Sequence, residues 1–140
     1  MALKIHSLKL SNGIKTFNGQ LIIAEGALYF LCQSKGSAII ESMAISQGFN
    51  VGDLLNGSTT SLKDFNLDSL TENDLQNLID KLPGSLVFKA NAIDKVQHNM
   101  FLRYIKYNGK KMGAPKGFSK ALRADLGPWL KQRQIKTVGF

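Results

Sequence analysis

Residues 3–32 read LKIHSLKLSNGIKTFNGQLIIAEGALYFLC, and the fold class turns on how that stretch is parsed. Asn12-Gly13 and Asn18-Gly19 are dipeptides that tolerate the positive φ angles of a tight hairpin turn. Around them stand short runs rich in Ile, Leu, Phe and Tyr: Leu3 to Leu10, Gly13 to Phe17, Gln20 to Ala24 and Ala27 to Cys32. Glu25-Gly26 supplies a further break. Short strands joined this locally leave no room for crossover helices, so the stretch predicts an antiparallel meander and argues against a parallel doubly wound sheet.

Working outward, the break Lys35-Gly36 precedes another strand-like run, Ser37 to Ile45, and Asn56 to Leu70, opening on Asn56-Gly57, reads as an irregular polar connection. A helix over about 71–82 is expected next. Thr71 suits the N-cap, Leu70 can staple to Leu75, and Leu75, Leu78, Ile79 and Leu82 make one apolar stripe that Pro83-Gly84 ends. Glu72, Asp74, Asn77 and Asp80 fall on its outer face. Strand signals resume at Ser85 to Lys89, Ala92 to His98 and Phe101 to Tyr107, the last turning at Asn108-Gly109 into Lys110-Lys111-Met112. A second helix over about 117–134 gathers Phe118, Leu122, Leu126 and Trp129 or Leu130 on one face, with a kink expected at Gly127-Pro128. The tail from Gln132 to Phe140 is expected to be partly mobile.

These elements define an α+β class: a curled antiparallel sheet or partly open barrel, with an inserted loop and helix at about 56–83 and a C-terminal capping helix. A flatter sheet with both helices on one face is the alternative. The chain of 140 residues suits one domain, 1–140. Its single cysteine, Cys32, lies in an apolar run and reads as a buried hydrophobe, which excludes a disulfide framework and fits a cytoplasmic setting or one peripheral to a membrane. No apolar run approaches the length of a bilayer span, and no leader or lipidation motif is read at either end.

The layout also resembles the pleckstrin-homology-like domains, including the bacterial GRAM type. Gly26-Ala27-Leu28-Tyr29-Phe30-Leu31 is similar to their early strand, Ala92-Ile93-Asp94-Lys95-Val96 to a later one, and Phe118 to Leu130 to their closing helix. The insertion at 56–82 departs from that pattern. The resemblance implies a barrel plugged by its last helix and a binding module that takes a protein segment or an anionic lipid headgroup.

Catalytic patterns are not found in the sequence. His6, His98 and Cys32 are too scattered to predict a metal site, no Gly-x-Ser-x-Gly elbow occurs, and Gly113-Ala114-Pro115-Lys116-Gly117 lacks the ending of a phosphate loop. No enzyme activity and no cofactor are therefore expected. The positive signal is charge, +8 in total. Residues 1–80 hold five lysines against eight acids, whereas residues 81–140 hold ten lysines and three arginines against only Asp94 and Asp125.

Lys106, Lys110 and Lys111 surround the Asn108-Gly109 turn, and Lys116, Lys120 and Arg123 recur along one face of the second helix. Together these six residues form the expected binding surface for an anionic headgroup or protein segment. Solvation of an exposed helix face explains the same lysines without a ligand. Tyr29, Phe101, Tyr104 and Tyr107 read as sheet core, and Trp129 as an anchor of the helix. Nucleic acid ranks behind the other partners because the helix lacks the Asn, Gln and Arg mixture of base readout. An inhibitor-like protein-interaction subunit, or self-association of the two unlike surfaces, accounts for the asymmetry as well.

Overall fold

The computed structural model describes residues 4–32, 71–81 and 84–140. The break at Lys35-Gly36, the expected strand 37–45, the turn at Asn56-Gly57, the polar connection, Leu82 and Pro83 lie outside the described residues. Among the described residues eight strands form one mixed sheet: β1 (Lys4–Asn12), β2 (Lys15–Ile23), β3 (Ala27–Cys32), β4 (Leu86–Lys89), β5 (Ile93–His98), β6 (Arg103–Tyr107), β7 (Lys110–Gly113) and β8 (Lys136–Val138). Their order is β4-β3-β2-β1-β7-β6-β5-β8. Two helices, α1 (Glu72–Lys81) and α2 (Lys120–Gln132), complete the described fold, and a 3-10 turn at Ala90–Ala92 links β4 to β5.

Side-chain alternation divides the sheet into two unlike faces. Leu8 and Leu10 of β1, Leu21 and Ile23 of β2, Leu28 and Phe30 of β3, and Phe88 of β4 share one buried core with Val96 and Ile105. The C-terminal helix α2 supplies Leu122, Leu126, Trp129 and Leu130 to that core, with Phe118 just before it. On the opposite face of β2 and β3, Ile22, Tyr29 and Leu31 are also buried. There Tyr29 bonds to Glu72 of α1, and Leu75 of the same helix is fully buried. The early strands are thus apolar on both sides because they are covered on both sides.

The α+β class is as expected, but the sheet is mixed rather than wholly antiparallel and is neither strongly curled nor closed into a barrel. Among the described residues β4 and β8 are the edges, and α2 lies against the sheet rather than in a mouth. The chain's last strand explains the difference: β8 pairs in parallel with β5, Lys95 opposite Lys136, and so occupies the edge that closure onto β4 would need. The tail expected to be mobile is that strand. Among the described residues, the two halves of the sheet are joined by a single bridged pair, Ser11 opposite Gly113.

Two turn signals resolve differently. Asn108 and Gly109 take φ of 50° and 82°, as the hairpin between β6 and β7 requires. Asn18 and Gly19 instead lie inside β2, paired with Lys9 and Leu8. A Cβ on Gly19 would stand 2.3 Å from the Leu31 carbonyl oxygen and 2.7 Å from Phe30 Cζ, so the glycine is there to let the Phe30 ring cross the strand. Helix α2 starts at Lys120, with the Ser119 hydroxyl accepting the Leu122 N–H, and runs without a break through Gly127 and Pro128, where the sequence predicts a kink or brief break. Packing of Leu126, Trp129 and Leu130 on either side of the proline holds the helix across it.

Candidate functional site

Cross-strand register brings together lysines that are far apart in sequence. Lys95 of β5 lies opposite Lys106 of β6, Lys106 opposite Lys111 of β7, and Lys95 opposite Lys136 of β8. The order along the sheet is therefore Lys136, Lys95, Lys106, Lys111 across four adjacent strands. The row points away from the core, because Val96 and Ile105, the neighbours of Lys95 and Lys106 in sequence, are the core residues. Lys95 and Lys106 are half-buried, and Lys111 and Lys136 are exposed.

The next row on the same face supports the lysines. Tyr104 donates its hydroxyl to Gln97 Oε1 at 3.1 Å, and both residues are nearly buried. Lys111 Nζ stands 4.7 Å from the centroid of the Tyr104 ring, a cation–π contact that fixes one end of the row. At the neighbouring turn Asp94 Oδ2 accepts the Gly109 N–H at 2.8 Å, so the turn itself carries an acid among its lysines.

The six cations expected as one surface are thus divided. Lys106 and Lys111 belong to the row; Lys110 alternates to the other side of β7, beside the turn. Lys116 is not helical and lies in the loop before α2, where it lines a cleft of about 310 Å³ with Ser7, Lys9, Asn18 and Ser119. Lys120 opens the helix and is exposed, and the Arg123 Nε donates to the Phe118 carbonyl at 3.1 Å. Register across β5, β6, β7 and β8 adds Lys95 and Lys136. Sequence reasoning misses both, because β8 reads as a tail and a row across strands leaves no periodic signal along the chain.

A second cluster forms where α2 begins. His98, the last residue of β5, accepts the Phe118 N–H on Nδ1 at 3.1 Å, and its ring lies 5.9 Å from Phe118 and 6.5 Å from Phe140. Burial, then the nearby Arg123 and Arg103, hold the His98 pKa below its ordinary 6.5. A Cβ on Gly117 would meet Arg103 Cδ at 2.8 Å, which places that arginine against the same loop. Between His98 and Arg103, Met100, Phe101 and Leu102 are 80%, 86% and 55% exposed. Phe101, expected in the core, is therefore at the surface.

Elsewhere, Glu72 of α1 is exposed as expected, yet its carboxylate accepts the Tyr29 hydroxyl and the Gly26 N–H, each at 3.2 Å. Burial and then the Glu72 carboxylate push Tyr29 up to about 12. Among the described residues no group of three or more His, Cys, Asp or Glu is placed to hold a metal ion, and no helix is long and apolar enough to cross a membrane. Comparison with family models, curated proteins and solved structures yields no match.

Proposed function

We propose that the protein is a non-enzymatic binding module whose C-terminal half takes an anionic partner, a lipid headgroup or an acidic protein segment, on a basic sheet face. The observation that carries this reading is the row Lys136, Lys95, Lys106 and Lys111 in direct cross-strand register. Like charges directly opposite one another destabilise a sheet by a few tenths of a kcal/mol to about 1 kcal/mol per pair. Solvation alone needs no such alignment, since staggered lysines keep a face just as wet. An anion laid across the strands turns the repulsion into attraction and gives the alignment a use. In this reading the pleckstrin-homology resemblance contributes a mode of action, surface recognition, and not its closed barrel.

The test is equilibrium binding to two probes, polyglutamate and phosphatidylserine vesicles. Wild type is expected to bind at least one of them at low salt, to weaken as salt rises, and to lose about tenfold or more in affinity with Lys106→Glu and Lys111→Glu together. Binding to neither probe, or equal binding by the double variant, contradicts the reading.

A further inference from the structure

The tip between β5 and β6 exposes three consecutive large apolar residues, Met100, Phe101 and Leu102. A run of that kind on a surface is unfavourable unless something covers it. The backbone of the tip is closed on itself. Asn99 Oδ1 accepts the N–H of Phe101 at 2.9 Å and of Leu102 at 2.6 Å, and the Asn99 N–H donates to the Leu102 carbonyl at 3.0 Å. The tip can thus leave water without taking these amide hydrogens with it unpaired, which is the condition for entering a region of low dielectric.

Cations stand directly behind it. Arg103 follows Leu102 and lies against Gly117, and the Arg123 Nε donates to the carbonyl of Phe118, whose N–H bonds His98 at the base of the tip. Lys106 is three residues further along β6 and by alternation points to the other face of the strand from Arg103, so the lysine row is a separate surface from the cations at the tip. An apolar apex in which the N–H groups of Phe101 and Leu102 are already bonded, and which is backed by positive charge, fits the interface of an anionic bilayer, with the side chains at the level of the acyl chains and the cations at the headgroups.

We propose that the β5–β6 tip is a docking element for anionic membrane: Met100, Phe101 and Leu102 insert into the interface while Arg103 and Arg123 hold headgroup phosphates. This rests on the reading that the C-terminal half takes an anionic partner, and it names that partner as a lipid surface.

Phe101→Trp places a reporter at the apex, while the native Trp129 is 3% exposed and contributes a constant background. On adding phosphatidylserine vesicles the emission of this variant should shift to the blue and be quenched by brominated acyl chains. In vesicle co-sedimentation, Met100→Ser with Phe101→Ser should lower affinity about tenfold or more, with polyglutamate binding unchanged. All three side chains are exposed, so these variants keep the fold, and circular dichroism verifies it. Vesicle binding by the serine variant equal to wild type, or an unshifted emission of the Phe101→Trp variant during binding, overturns the tip proposal and leaves the anionic reading standing. Binding of wild type to polyglutamate but not to vesicles also overturns it and points to an acidic protein. Binding to neither overturns both.

Discussion

Trp129 and His98 show how single side chains join the ends of the chain. The Trp129 indole donates to the Ala24 carbonyl at 2.6 Å in a buried contact, and Arg133 lies 4.1 Å over its ring while bonding the Glu25 carbonyl. Trp129→Phe keeps most of the packing and leaves that carbonyl without its donor; a loss of about 1–3 kcal/mol in denaturant unfolding is expected. His98 accepts a hydrogen bond on Nδ1, so the folded ring is neutral, and its folded pKa lies below the ordinary 6.5. The unfolded chain therefore binds the proton more readily. The stabilising contribution is complete above about pH 6.5 and is lost as pH falls through the lower folded value. Thermal melts of wild type between about pH 7 and 5 should fall more steeply than those of His98→Asn, which offers an acceptor that does not titrate. At this scale the sequence is readable where apolarity decides, as at Cys32 and Trp129, both buried. It is silent where an exposed polar residue bonds across elements, as Glu72 does with Tyr29.

Strands and helices obey their local signals except where packing or pairing overrides them. The hairpin at Asn108-Gly109 forms because nothing else claims those residues, whereas Asn18-Gly19 is absorbed into β2 to make way for Phe30. Gly19→Ala should cost about 1–3 kcal/mol or more by overpacking, measured by chemical denaturation. β8 escapes a reading of the sequence because it is three residues long and pairs with a strand some forty positions earlier. The lysine row depends on that pairing, which is why half of it is legible and half is not. Within the row, Lys106→Glu sets an acid between Lys95 and Lys111, replacing two repulsive neighbours with attractive ones. Stability should rise by about 0.5–1 kcal/mol while affinity for anions falls. An unchanged or lower melting temperature for that variant would show that the lysines do not repel one another in the free protein.

Viewed whole, the chain's charge asymmetry becomes a spatial one. β2 and β3 are buried on both faces, with α2 in the core on one side and α1 against β3 on the other. The basic residues are divided between the outer face of β5 to β8 and the start of α2, beside the exposed tip. Net charge alone attracts any polyanion weakly, whereas the account requires charge at particular places. The measurement that separates the two is the affinity for phosphatidylserine vesicles at low salt of three proteins: wild type, Lys95→Glu with Lys106→Glu, and Lys4→Glu with Lys15→Glu. The two variants carry the same net charge, and the second alters exposed lysines of β1 and β2. The account predicts a loss of about tenfold or more for the pair in the row and a change within about threefold for the pair outside it; equal losses for both pairs, or none for the row, would contradict it.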